Sequence, residues 1–188
     1  MRIRTATISD ASVIAQVICM GFGEDMMQQY CGENGQAVIE EIAKMEVSQY
    51  SYHNALIAEV DRQPVGAIVG YDGARLLELR APTLAYIHSQ TGFIPDVEDE
   101  AEPDEFYFDT LAVFPKYRHQ GIGRKLLLAL CEKAFREGYQ RLGLLVDTGN
   151  PQAECLYSSL GFHRVKLKNL LTHQLWHMQK ERDANIIM

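Results

Sequence analysis

Leu111-Ala112-Val113-Phe114-Pro115-Lys116-Tyr117-Arg118-His119-Gln120-Gly121-Ile122-Gly123-Arg124-Lys125-Leu126-Leu127 joins two different periodicities. Residues 106–114 form a β-prone run of aromatic and apolar side chains that Pro115 ends. Residues 121–137 place Ile122, Leu126, Leu127, Leu130, Ala134 and Phe135 on one helical face, and Gly138 closes them. A strand therefore runs through a short loop into a helix, with glycines where the helix begins. The first N–H groups of a helix lack partners and carry about +0.5 elementary charge. Glycines let a phosphate approach those groups, and Arg118, Arg124 and Lys125 add positive charge. The stretch predicts a pyrophosphate site. Taken alone, its G-x-G equally describes a tight turn feeding a core helix. Two other phosphate motifs fail: there is no G-x-x-x-x-G-K-[ST], and Leu126 breaks G-x-G-x-x-G.

Downstream, residues 142–146 are continuously apolar, as in a buried central strand. Asn150-Pro151 opens a helix, since Asn can cap and Pro suits the first helical position; it stops at Gly161. Residues 162–167 and 172–178 read as closing strands. Upstream, residues 3–8 alternate like a half-buried strand, and Ser9 or Asp10 can cap a helix striped by Val13, Ile14, Val17 and Ile18. A second helix is expected over about 36–50. Residues 56–60 and 65–71 should form a hairpin about Asp61-Arg62-Gln63-Pro64. Residues 75–89 look helical, with a break or kink near Pro82. Residues 95–105 read as a loop.

The 188 residues suit one domain with one core. The net charge of −7 equals the seven carboxylates of residues 96–105. Clustered like charges resist packing, so this loop reads as solvated, or as a lure for a cationic partner. An acidic chain without a basic stripe argues against nucleic acid. No apolar run nears the roughly 20 residues that cross a bilayer, and residues 1–5 lack a secretory apolar stretch. A cytoplasmic protein is expected, with Cys19, Cys31, Cys131 and Cys155 as thiols. His173 and His177 lack the Glu of H-E-x-x-H and read as exposed or core-edge, so no metal is expected.

Two linked segments resemble the GNAT superfamily of acyl-CoA-dependent N-acetyltransferases. Arg118, Gly121 and Gly123 match its R-x-x-G-x-G motif. Asn150, Ala153, Leu156, Tyr157, Gly161 and Phe162 match its N-x-x-A-x-x-L-Y-x-x-x-G-F pattern. The close match covers about 106–165, the expected cofactor-binding core; residues 1–105, agreeing only in element order, would form the acceptor side. The resemblance implies a single α/β domain over residues 1–188. Its mixed, twisted sheet would have six or seven strands, helices on both faces and a splayed parallel pair, 106–114 and 142–146, joined by a right-handed crossover.

The resemblance further implies acetyl-CoA as co-substrate. Backbone groups of Leu111 and Val113 would pair with the pantetheine arm. Amides of His119, Gln120, Gly121, Ile122, Gly123 and Arg124 would hold the pyrophosphate, beside Arg118. Asn150 would lie near the pantetheine or acyl end. Tyr157 would protonate the departing thiolate; without the motif it reads as a buried aromatic. An amine of pKa near 10 needs a base at neutral pH. Asp109 is the candidate, expected on the sheet face of Leu111 and Val113 together with Tyr107. Some family members carry a base carboxylate where this chain has Leu145 and others at the position of Tyr107, so Asp109 also reads as a structural carboxylate paired to a nearby donor. The acceptor would be a small-molecule or peptide amine, and the protein a monomer or homodimer. Two other classes remain: a non-catalytic acyl-CoA-binding module, which needs neither Tyr157 nor a base, and an interaction protein that docks a basic partner on its acidic loop.

Overall fold

The computed structural model describes residues 1–182; residues 183–188 of the expected domain lie outside it. Seven strands form one sheet: β1 (Arg2–Thr5), β2 (Ala55–Val60), β3 (Gln63–Asp72), β4 (Phe106–Val113), β5 (Arg141–Asp147), β6 (His163–Leu170) and β7 (His173–Glu181). Their order is β1-β2-β3-β4-β5-β7-β6, and only β4 and β5 pair in parallel. Five α-helices complete the fold of the described residues: α1 (Ala11–Cys31), α2 (Gly35–Lys44), α3 (Leu76–Thr91), α4 (Ile122–Arg136) and α5 (Pro151–Ser159).

Alternation along the strands divides the core. Ala55, Ile57, Ala67 and Val69 pack with α1 and α2, while Leu56, Ala58 and Ile68 join Leu126, Leu127 and Leu130 of α4 on the opposite face. Expected and observed elements coincide closely in the second half. Asn150 Oδ1 accepts the Ala153 amide at 3.1 Å and Pro151 opens α5. The β2–β3 hairpin turns on Asp61 and Arg62 alone, both at positive φ (50° and 64°), a pair of values that suits the right-handed twist of a two-residue hairpin.

The first half departs in four places. The first strand ends at Thr5 rather than 8, because Asp10 draws the chain into a turn. Its Oδ2 accepts the Thr7 amide at 2.8 Å, and Arg4 forks onto the same carboxylate, so Asp10 serves the preceding turn rather than capping α1. Helix α1 reaches Cys31, bent where Gly23 takes φ 77°. Helix α2 stops at Lys44 rather than near 50: Met45 N and Ser48 Oγ both take the Ile42 carbonyl, and Gln49 leaves the helix to be buried. Helix α3 runs through Pro82 without a non-helical residue. The lost hydrogen bond is a single one, and the burial of Leu79, Thr83 and Ile87 on one face carries the helix across it.

The acidic segment is the largest correction. It has no regular structure, as expected, and Asp96, Glu98, Asp99 and Asp104 are exposed, but the segment is not solvated throughout. Glu100 and Glu105 are only 6% and 1% exposed. Arg80 of α3 pairs with Asp99 and Glu100, and Lys166 and Lys168 of β6 pair with Glu102. Glu105 accepts from Gln179 Nε2 at 2.7 Å and meets His177 Nε2 at 3.0 Å. His177, expected at the surface or core edge, is fully buried. Cations drawn from α3 and β6, with polar partners on β7, thus hold part of the acidic run against its own repulsion. Gly73 pins the loop's end, donating to the Glu105 carbonyl at 2.9 Å. A Cβ there would run into the Glu102 carbonyl and lie 2.9 Å from that of Glu105. Gly73→Ala is expected to cost about 1–3 kcal/mol, because main chain rather than a side-chain tip must move. Urea midpoints of the two proteins check this.

Candidate functional site

The site begins where two strands part. β4 pairs with β5 at three positions alone, Phe106, Tyr107 and Phe108 opposite Leu142, Gly143 and Leu144. β3 covers the other edge of β4 along its whole length, from Phe106 to Val113. Phe114 N donates to Val65 O on that side, so the main-chain groups of Leu111 and Val113 face the opening. β5 meanwhile stays paired with β7 as far as Asp147. The result is a cleft of about 560 Å³ with an unpaired strand edge as one wall.

The turn after β4 forms the cleft's rim. Its own hydrogen bonds are Tyr117 N to Phe114 O and Arg118 N to Pro115 O, and the next is Lys125 N to Gly121 O. No side chain caps α4. His119 and Gly121 take positive φ (60° and 73°), which turns the intervening main chain outward. The amides from His119 to Arg124 therefore have no partner of their own among the described residues. Ile122 keeps its side chain in the core, and Gly123 lies against Leu111 and Val113. Arg118 reaches back, its Nε donating to the Val113 carbonyl at 3.1 Å, so that carbonyl is already engaged.

Seven of the expected site residues line the cleft: Asp109, Leu111, Val113, Arg118, Gly123, Asn150 and Tyr157. His119, Gln120, Gly121, Ile122 and Arg124 sit beyond its wall, on the rim or in the core. Asn150 spends its carboxamide oxygen on capping α5. Tyr157 packs its ring 6.3 Å from that of Phe162, and burial pushes its hydroxyl up to about 12.

Asp109 occupies a β-bulge. Gly70 faces Phe108 and Val69 faces Thr110, which leaves Asp109 as the extra residue. The bulge reverses the alternation. Phe106, Phe108, Leu111 and Val113 pack on the α4 face, while Tyr107 packs with Tyr71 on the other. The expectation that Asp109 shares a face with Leu111 and Val113 is therefore wrong, although Tyr107 does lie on its side. Asp109 Oδ2 accepts from Tyr71 OH at 3.0 Å, and Oδ1 accepts from Thr110 Oγ1 at 2.7 Å. Burial first, and then the nearby Glu100 charge, push the Asp109 carboxyl up to about 7, against the pull of those two donors. Sequence reasoning missed Gln49, Tyr71, Arg80 and Glu100, which meet here from four separate segments. Only the acidic run signalled any of them.

A raised carboxyl pKa has a cost in stability. The unfolded chain releases this proton near pH 4 and the folded protein near 7, so stability falls as pH rises between those values. Asp109→Asn removes the penalty. Its stability relative to the parent is expected to improve from pH 4 to pH 8, by a few kcal/mol at most because the carboxyl meets the cleft. Urea unfolding at the two pH values measures the difference.

A family model described as "Acetyltransferase (GNAT) family" matches residues 22–162. A crystal structure of an acetyltransferase superposes with a TM-score of 0.79 at 33% identity, over 96% of this chain and 99% of that one. An N-acetyltransferase from Staphylococcus aureus Mu50 gives 0.84 at 26% identity, over 95% and 100%. Among curated relatives, the [ribosomal protein bS18]-alanine N-acetyltransferase of Escherichia coli K12 is 38% identical over 65 residues, which is 35% of this chain and 44% of that protein. A thialysine N-epsilon-acetyltransferase of Bos taurus is 35% identical over 71 residues, 38% of this chain and 39% of that protein. The chain thus matches less than half the length of these two curated relatives. With the parted strands, the uncapped helix start and the matched segment all in one place, the chain belongs to the GNAT family of acetyltransferases.

Proposed function

We propose that this protein transfers an acetyl group from acetyl-CoA to a primary amine by direct attack. One observation supports this above the others: the unpaired edge of β4 and the unpartnered amides of α4 border the same cleft that holds Asp109 and Tyr157. The free main-chain groups of Leu111 and the Val113 amide suit an extended pantetheine arm, added as a strand is added to a sheet edge. The His119–Arg124 amides suit its pyrophosphate. The thioester supplies the acyl group. Asp109, with a carboxyl near 7, takes the proton of the incoming ammonium at neutral pH. Tyr157 gives a proton to the departing thiolate.

The acceptor end is acidic and aromatic. Phe22, Tyr30, Tyr50 and Tyr107 line it with Glu100 and Asp109. Its guanidinium, Arg80, is held by Asp99 and Glu100 and is not free for a substrate carboxylate. These features favour an amine without a flanking carboxylate, such as a peptide N-terminus, a lysine side chain within a peptide or a monoamine.

Coenzyme A release from acetyl-CoA across an amine panel tests the reading. Peptide amines or monoamines should outpace the corresponding free amino acids about tenfold or more, and added salt should slow cationic acceptors. Binding of coenzyme A without turnover of any amine would instead favour the non-catalytic module. Tyr157→Phe should lower kcat about 100-fold, within the range of general-acid contributions, and leave acetyl-CoA affinity within about twofold. Unchanged turnover removes Tyr157 from the chemistry.

A further inference from the structure

Tyr71 stands between two carboxylates. Its hydroxyl lies 2.9 Å from Glu100 Oε1 and 3.0 Å from Asp109 Oδ2, while Gln49 Nε2 donates to the same oxygen at 3.2 Å. A phenol has one proton to give. It cannot donate to both carboxylates at once. Glu100 has other donors: Gln49 Nε2 at 2.6 Å and the paired guanidinium of Arg80. Among the described residues Asp109 has only Thr110 besides. With Asp109 ionised, the Tyr71 proton is worth more to Asp109. With Asp109 protonated, the carboxyl can donate to the Tyr71 oxygen and Tyr71 can turn to Glu100. Both arrangements give the Tyr71 hydroxyl and the two carboxylates a partner, and they differ by the one proton that the acceptor amine gives up.

We infer that Tyr71 and Glu100 are positioning residues that set the proton affinity of Asp109, Glu100 as a neighbouring carboxylate and Tyr71 as a hydroxyl that turns between the two carboxylates. Only the kinetic consequence depends on Asp109 acting as base. Arg80 pairs with one of the Glu100 oxygens and holds that carboxylate in place. Its location, on an irregular loop anchored by Lys168 donating to the Asp99 and Glu100 carbonyls at 3.0 Å, ties the site's electrostatics to that loop's placement. The other charged or titratable groups facing the pair are Arg80 of α3, Asp99 and Glu105 of the loop, Tyr30 of α1, Tyr50, and Tyr107 of β4. None of the three tyrosines changes charge near neutral pH in a way that mimics Asp109, since burial raises all of them.

Two variants move Asp109 in opposite directions. Glu100→Gln removes the repelling charge and should lower the Asp109 pKa by about one unit or more. Tyr71→Phe removes a donor to the ionised carboxylate and should raise it by a similar amount. The carboxyl carbon of Asp109, followed by carbon-13 NMR across a pH titration, reads this without any turnover. The acidic limb of kcat/KM should shift with it, to lower pH in Glu100→Gln and to higher pH in Tyr71→Phe. Titration shifts of opposite sign with an unmoved kinetic limb would uphold the positioning and remove Asp109 as base. An unmoved titration in Tyr71→Phe, which keeps the ring and its packing, overturns the inference. So does a uniform loss of rate at every pH with no titration shift, the mark of a merely structural role. Thermal unfolding of each variant confirms that a folded protein is being read, and Tyr71→Phe keeps the test open if Glu100→Gln does not fold.

Discussion

The parting of β4 from β5 after three paired positions is the constraint on which the rest depends. A strand inside a sheet normally spends its main-chain groups on both neighbours. Here β3 holds one edge of β4 throughout, and β7 holds β5 to its end, so neither strand can bend to close the gap. The unsatisfied edge faces a cleft instead of core. Unpaired N–H and C=O groups are costly when buried and useful when an extended ligand can meet them. The same parting admits Tyr157 from α5 and Asp109 from β4 to one space.

The bulge at Asp109 is the second decision the backbone makes. Asp109 stays on the Tyr107 side and meets Tyr71, while the one extra residue returns Leu111 and Val113 to the α4 face. It therefore separates a carboxylate side from a main-chain side within a few residues. The carboxylate side is electrostatically expensive. Buried ion pairs such as Arg80–Glu100 gain little net stability, since desolvation offsets much of the attraction. A network of this kind beside a cleft makes better sense as a setting for a titrating group than as a support for the fold.

The acidic loop shows how local and tertiary forces compete. Seven carboxylates within residues 96–105 repel one another in an extended chain. In the folded protein, cations from α3 and β6 and the buried His177 of β7 each take one or two of them. Nothing within the run distinguishes Glu100, which enters the cleft, from Asp96 or Asp104, which do not. The distinction comes from where Arg80 sits, and Arg80 is 20 residues away on a helix.

The sequence by itself determined the elements whose signals are local. The glycines at 121 and 123, the Asn150-Pro151 start and the apolar stripe of α4 each act within a few residues, and they placed the turn and the two helices beside it. It also supplied Asp109 and Tyr157 as candidates. Tertiary structure alone decided which face Leu111 and Val113 take, because a bulge depends on the partner strand's register. It alone decided that Pro82 does not break α3, that Gln49 leaves α2, and that Glu100 is buried, because each outcome turns on a partner distant in the chain. Short-range signals fix periodicity and caps; the burial of a charge is set by whichever cation the fold brings beside it.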